Sequence, residues 1–137
     1  DPTMEPPRPY GEAMKSKGGL ARIFHALRYT WDGLKAAATH EQAFKQELIV
    51  VTPLSIAAWF IPVTLPERAL LFAVLQLILI VELINSAIEA NTDHISLERH
   101  PLAKRAKDMG SAAVFLTIVI AVAVWTTVLW QRFHPAG

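Results

Sequence analysis

Glu82, Asn85 and Glu89 fall within a largely apolar run over 69–90, and Asp93 follows it. At about 100° per residue, these four positions fall within about 80° of one another around a helix. One polar stripe therefore follows one side of an oily rod. A carboxylate in hydrocarbon costs about 2.5–3.5 kcal/mol on insertion scales, so an acid in such a place marks a functional site. Carboxylates there can take a proton, hold a hard cation through oxygen, or relay protons. A second acidic set, Glu41 and Glu47 with Gln46 beside them, precedes the first apolar run. A third polar set, between His94 and Asp108, contains Glu98, Arg99, His100, Lys104, Arg105, Lys107 and Asp108. Its cations suit phosphate oxygens.

The elements that position these residues follow from hydropathy. The chain has 137 residues, 53% hydrophobic and 18% charged, fewer charges than the roughly 25% of a soluble domain. This composition predicts an all-α membrane protein with one domain over 15–137. Leu20, Ile23, Phe24, Leu27, Trp31 and Leu34 repeat at helical spacing. They predict an amphipathic helix over 20–38, lying at headgroup level. Transmembrane helices are expected over about 46–65, 69–92 and 110–131, near the 20 apolar residues that a bilayer requires. Pro53 falls within the first span, which is expected to be kinked. The short 61–68 connector makes the first two spans a hairpin. Trp125 and Trp130 are expected as interfacial anchors.

Asp1-Pro2-Thr3 precede Met4 and are expected to be an artificial addition, with Met4 or Met14 as native start. The tail over 1–14 is Pro-rich and expected to be disordered.

Positive charge predicts orientation. Seven Lys/Arg precede the first span, four lie between the second and third, and one lies in each of the remaining connector and tail. The N-terminus and the second loop are therefore expected on the cytoplasmic side, the C-terminus on the periplasmic side. The three polar sets then meet at one membrane boundary.

Other chemistries find no residues. There is no cysteine, hence no disulfide or thiolate metal site. His25, His40, His94 and His100 lack zinc spacing. No phosphate-binding Walker loop is present. A net charge of +1 gives no reason to expect a nucleic-acid partner. Gly110-Ser111-Ala112-Ala113 and the Ser86/Ala90 pair suit close helix packing. On residue types alone, an ion- or proton-conducting subunit fits almost as well as an enzyme.

The run Glu82-Leu-Ile-Asn85-Ser86-Ala87-Ile88-Glu89-Ala-Asn-Thr-Asp93, with Arg105-Ala106-Lys107-Asp108-Met109-Gly110-Ser111 downstream, resembles the signature of the prokaryotic diacylglycerol kinase family. Tyr29-Thr-Trp31-Asp-Gly33 and Glu41-Gln-Ala-Phe44-Lys-Gln46-Glu47 resemble its Gram-negative form. The resemblance implies a homotrimer in the bacterial inner membrane. It implies transfer of the ATP γ-phosphoryl group to diacylglycerol, giving phosphatidic acid, with Mg²⁺ as cofactor. Undecaprenol kinase is the alternative within the same fold.

By this resemblance Glu82 is the general base, and Asn85, Lys107 and Asp108 complete the catalytic set. Glu41 and Glu89 hold the metal. Arg22, Tyr29, Glu98, Arg99 and His100, with Lys107 and Asp108, contact ATP. Arg22, Trp31, Ala36, Ala37, Ala38, Thr39, Phe44, Gln46, Glu47 and Glu82 line the lipid site.

Overall fold

A computed structural model describes residues 18–95 and 100–135. The expected tail over 1–14 and the candidates Glu98 and Arg99 lie outside the described residues. Among those described, the order is α1 (Gly19–His40), α2 (Gln42–Ala57), α3 (Leu65–Ile95) and α4 (Pro101–Phe133). The described residues up to Ala36 form one compact unit and the described residues from Ala37 onward another.

α1 is amphipathic, as its spacing requires. Leu20, Phe24, Leu27 and Trp31 are nevertheless all exposed. An apolar face left uncovered by protein fits a helix at a lipid surface. α1 ends where Glu41 turns extended, at φ −103° and ψ 108°.

In the second unit, α2 and α4 both pack on α3. α3 has 31 residues and α4 has 33. At about 1.5 Å per residue they reach roughly 45–50 Å, beyond the ~30 Å hydrocarbon core. Both are long and apolar enough to cross a membrane. α2 is shorter, at 16 residues with Pro53 inside, and does not reach the expected 65.

The early end of α2 has a local cause. Ala58 donates its backbone N–H to Leu54 O at 2.9 Å, and a turn follows. Arg68 then clamps that turn. Its Nη1 donates to Ala58 O at 2.6 Å, and its Nη2 donates to Ile61 O at 3.1 Å and Val63 O at 3.4 Å. Arg132 of α4 donates to Pro62 O. These carbonyls are satisfied by guanidinium groups instead of by helix. Thr64 and Glu67 then start α3 with a reciprocal capping box. Thr64 Oγ1 donates to Glu67 Oε1 at 2.7 Å, and Glu67 N donates to Thr64 Oγ1 at 3.3 Å.

α4 starts earlier than the expected 110. His100 Nδ1 accepts from Leu102 N at 3.1 Å, and Pro101 stands at the first helical position, where its missing N–H costs nothing. Lys104, Arg105, Lys107 and Asp108 thus sit on a helix and not in a loop. Hydropathy marked where the apolar part begins, not where the backbone begins to coil.

Two apolar clusters hold the helices together. Ala58, Leu71 and Val128 form one, Val74, Ile78 and Ala121 the other, with Trp125 against both. Trp125 Nε1 donates to Leu71 O at 3.1 Å, so this indole packs within the bundle and is not the anchor expected. Trp130 is 64% exposed. Gln76 Nε2 donates to Ser55 Oγ at 2.9 Å, a polar tie between α3 and α2.

Candidate functional site

The inner part of the stripe on α3 lies against protein, while Asp93 at its end is exposed. Glu82, Asn85 and Ser86 are 5–7% exposed, while the apolar Ile80 and Ile84 on other sides of the helix are 51% and 55% exposed. Over 80–88 the buried residues of α3 are the polar ones and the exposed ones are apolar, which inverts the soluble pattern. That inversion is what a bilayer demands of acids within it.

Three more acids converge on Glu82. Glu47 of α2 lies within hydrogen-bonding reach of it. Glu89, two turns along α3, and Glu41, at the start of α2, are near enough for their charges to act on it. Glu41 is the N-cap of α2, yet its carboxylate makes no capping bond. Asn85 Nδ2 reaches Glu89 Oε1 at 3.5 Å. Glu47 Oε2, Asn85 Oδ1 and Ser86 Oγ are buried with no hydrogen-bond partner among the described residues. Buried polar atoms are nearly always paired in native structures. Three such orphans gather around one acidic cluster, where a polar ligand could pair with them.

The rim carries the cations. Lys107 Nζ lies 2.6 Å from Asp93 Oδ1. Lys107 precedes the apolar part of α4. The hydrogen bond to Asp93 holds its ammonium pKa above the ordinary lysine value, with the charges of Asp93 and Glu89 adding to this. Lys104 Nζ pairs with Asp108 Oδ2 at 2.6 Å, both well exposed. This pair joins residues four apart on one helix.

An apolar groove of about 400 Å³ opens beside the cluster. Glu47 stands at one end; Val50, Leu54, Ile78, Ala121 and Trp125 line the rest. It exists because α2 and α4 lean on α3 rather than on each other.

The structure thus brings Glu41, Glu47, Glu82, Asn85 and Glu89 together, with Lys107 at the rim. Gln46 lines the groove with Glu47. Phe44 is 2% exposed and offers no open surface, so it packs the core instead of meeting lipid. Ala37 is likewise buried, Ala38 is half-buried, and Ala36 and Thr39 are exposed. Arg22, Tyr29 and Trp31 are exposed residues of α1. His100 caps α4. Ser86, read from sequence as a packing residue, has its hydroxyl among the orphaned polar atoms. Its position one residue after Asn85 was the available signal.

The donor set suits a hard cation. Among the described residues no three acidic or histidine side chains form a complete metal cage. Mg²⁺ seldom uses one; it takes one or two carboxylates and completes its shell with water and substrate phosphates. Glu41 and Glu89, with an orphaned amide oxygen nearby, fit that habit.

The chain is also similar to known proteins. A family model described as prokaryotic diacylglycerol kinase matches residues 28–129. The chain is 46% identical to a diacylglycerol kinase of Escherichia coli (strain K12) over 115 residues, which cover 84% of this chain and 94% of that one. It is 49% identical to a diacylglycerol kinase of Pseudomonas aeruginosa over the same shares. It is 41% identical to one of Helicobacter pylori (strain 26695), covering 84% of this chain and 86% of the relative.

Proposed function

Because the chain belongs to the prokaryotic diacylglycerol kinase family, we propose that it transfers the γ-phosphoryl group of ATP to the free hydroxyl of diacylglycerol, yielding phosphatidic acid and ADP. Membership makes it a membrane lipid kinase and sets aside the ion-conducting reading. The observation that carries the chemistry is Glu82, buried among acids of which one, Glu47, also lines an apolar groove. The groove fits an acyl chain. With the chain seated there, the glycerol hydroxyl comes to the Glu47–Glu82 end.

Phosphoryl transfer is achieved chiefly by positioning and charge neutralisation. Glu82 accepts the hydroxyl proton as the new O–P bond forms and the bond from the γ-phosphorus to ADP breaks. Glu41 and Glu89 are the residues that would hold Mg²⁺, and bound metal would neutralise the nucleotide's phosphate oxygens. Lys107 lies beside Glu89 and offers a cation to the same phosphates. Asp108 supports the nucleotide side of the site.

The finer architecture belongs to the same proposal. α2 and the clamped turn after it serve as a third span. Three copies form a trimer in the bacterial inner membrane. The Lys104–Lys107 end faces the cytoplasm, where ATP is found, and the C-terminus faces the periplasm. The N-terminal helix α1 brings Arg22, Tyr29 and Trp31 to the headgroup level.

The test is transfer of γ-³²P from ATP to dioleoylglycerol in detergent micelles. Labelled phosphatidic acid that disappears with EDTA and returns with Mg²⁺ is expected. No transfer to diacylglycerol, with transfer to undecaprenol instead, would replace the substrate.

A further inference from the structure

Gly110 is buried in α4 and faces Asn85 of α3. A Cβ at this position would stand 2.0 Å from Asn85 Oδ1 and 3.0 Å from Asn85 Cγ. Gly18, Gly19 and Gly33 would meet nothing within 4 Å. Glycine within a helix costs roughly 1 kcal/mol relative to alanine, so its presence here needs a reason of space. That space is occupied by one functional side chain.

Asn85 is held on two sides. Its amide oxygen rests against Gly110 and has no hydrogen-bond partner among the described residues. Its amide nitrogen reaches Glu89 at 3.5 Å. Only the nitrogen of a carboxamide donates, so a carboxylate neighbour fixes which way the group faces. The oxygen must then point to the side where α4 lies, and only a residue without a side chain leaves it room.

We propose that Gly110 is a positioning residue of the phosphotransfer site: by lacking a side chain it seats Asn85, and Asn85 orients the Glu89 carboxylate. The proposal rests on the reading of Glu89 as a metal-holding acid. An alanine methyl at 110 would meet the far end of a side chain, not backbone. Asn85 can swing away while α3 and α4 stay packed, so the damage falls on Glu89 more than on the fold. Groups that orient a metal ligand are worth on the order of 10–100-fold in metal affinity.

The experiment measures Mn²⁺ binding by electron paramagnetic resonance, with a non-hydrolysable ATP analogue, on purified micellar protein. Wild type, Gly110→Ala, Asn85→Ala, the double variant and Glu89→Gln are compared. Gly110→Ala should weaken Mn²⁺ binding about tenfold with thermal unfolding nearly unchanged. The double variant should bind no worse than Asn85→Ala alone, because the two clashing atoms are then gone and the Cβ at 85 lies at an ordinary contact distance of 3.8 Å. Wild-type Mn²⁺ affinity in Gly110→Ala overturns the proposal. So does a tenfold loss that recurs in full on the Asn85→Ala background. If Gly110→Ala does not fold, the double variant decides: recovery of folding upholds the Asn85 contact, and continued failure overturns it. Normal affinity in Glu89→Gln instead refutes the metal reading on which the proposal rests, an outcome separate from failure at Gly110.

Discussion

The two ends of the bundle treat polar groups in opposite ways. At the Pro62 end, Arg68 serves three backbone carbonyls, Arg132 serves a fourth, and Thr64 and Glu67 cap each other. At the Glu82 end, carboxyl groups crowd together and three buried polar atoms have no partner among the described residues. The first end spends its charges on closing a turn. The second leaves its acids in want of a counter-charge that a substrate complex can bring. Stability and the proposed function are thus separated along one bundle, with the apolar clusters around Leu71 and Ala121 between them.

The strongest way to break this contrast is at Glu82. Glu82→Gln keeps the shape and removes the base; turnover should fall by about 10²–10⁴-fold, the usual share of general-base catalysis, with unfolding unchanged. Near-normal phosphorylation in the micelle assay would leave Glu82 a mere packing residue. Arg68→Ala should do the reverse. It frees the carbonyls of Ala58, Ile61 and Val63, and should cost about 2–3 kcal/mol of stability, the range of a hydrogen bond from a charged group. Chemical unfolding in micelles reads this, and turnover per folded molecule should stay within twofold. An Arg68→Ala protein that loses turnover without losing stability would dissolve the division between the ends.

Glu89→Gln sharpens the contrast on the metal side. The Mg²⁺ concentration giving half-maximal activity should rise by about tenfold or more; an unmoved titration would separate Glu89 from the metal. The smallest effect comes from pH at the Pro62 end. Glu67 lies before the apolar run of α3, and hydrogen bonds from the Thr64 hydroxyl and backbone N–H hold its carboxyl below the ordinary value of 4.5. A depressed folded-state pKa adds stability that is present above 4.5 and is lost as pH falls through the lowered value. Thr64→Ala should therefore flatten the acid limb of the thermal-stability profile slightly. An identical limb in wild type and variant would show that the cap does not titrate.

Parts of the site were legible along one helix. Glu82, Asn85 and Glu89 share a face because helical spacing is a property of a single segment, and the structure buries the first two and half-buries the third. Lys107 and Asp108, candidates from sequence, lie on helix α4 and not in a loop. Apolar content begins near 110, whereas the helix begins at Pro101 under the His100 cap. The span expected over 46–65 failed at its far end for a related reason. Nothing local to 58–63 announces that its carbonyls will be taken by Arg68 and Arg132, which come from α3 and α4.

Sequence by itself determined the membrane character, the helical elements and the acidic stripe, since each depends on residue type and on spacing within one segment. Tertiary structure alone decided that Glu47 meets Glu82, that Trp125 turns inward to Leu71 O, and that Gly110 makes room for Asn85. Those contacts depend on the register in which one helix lies against another. That register is set by the summed packing of many apolar side chains and is not written at any single position.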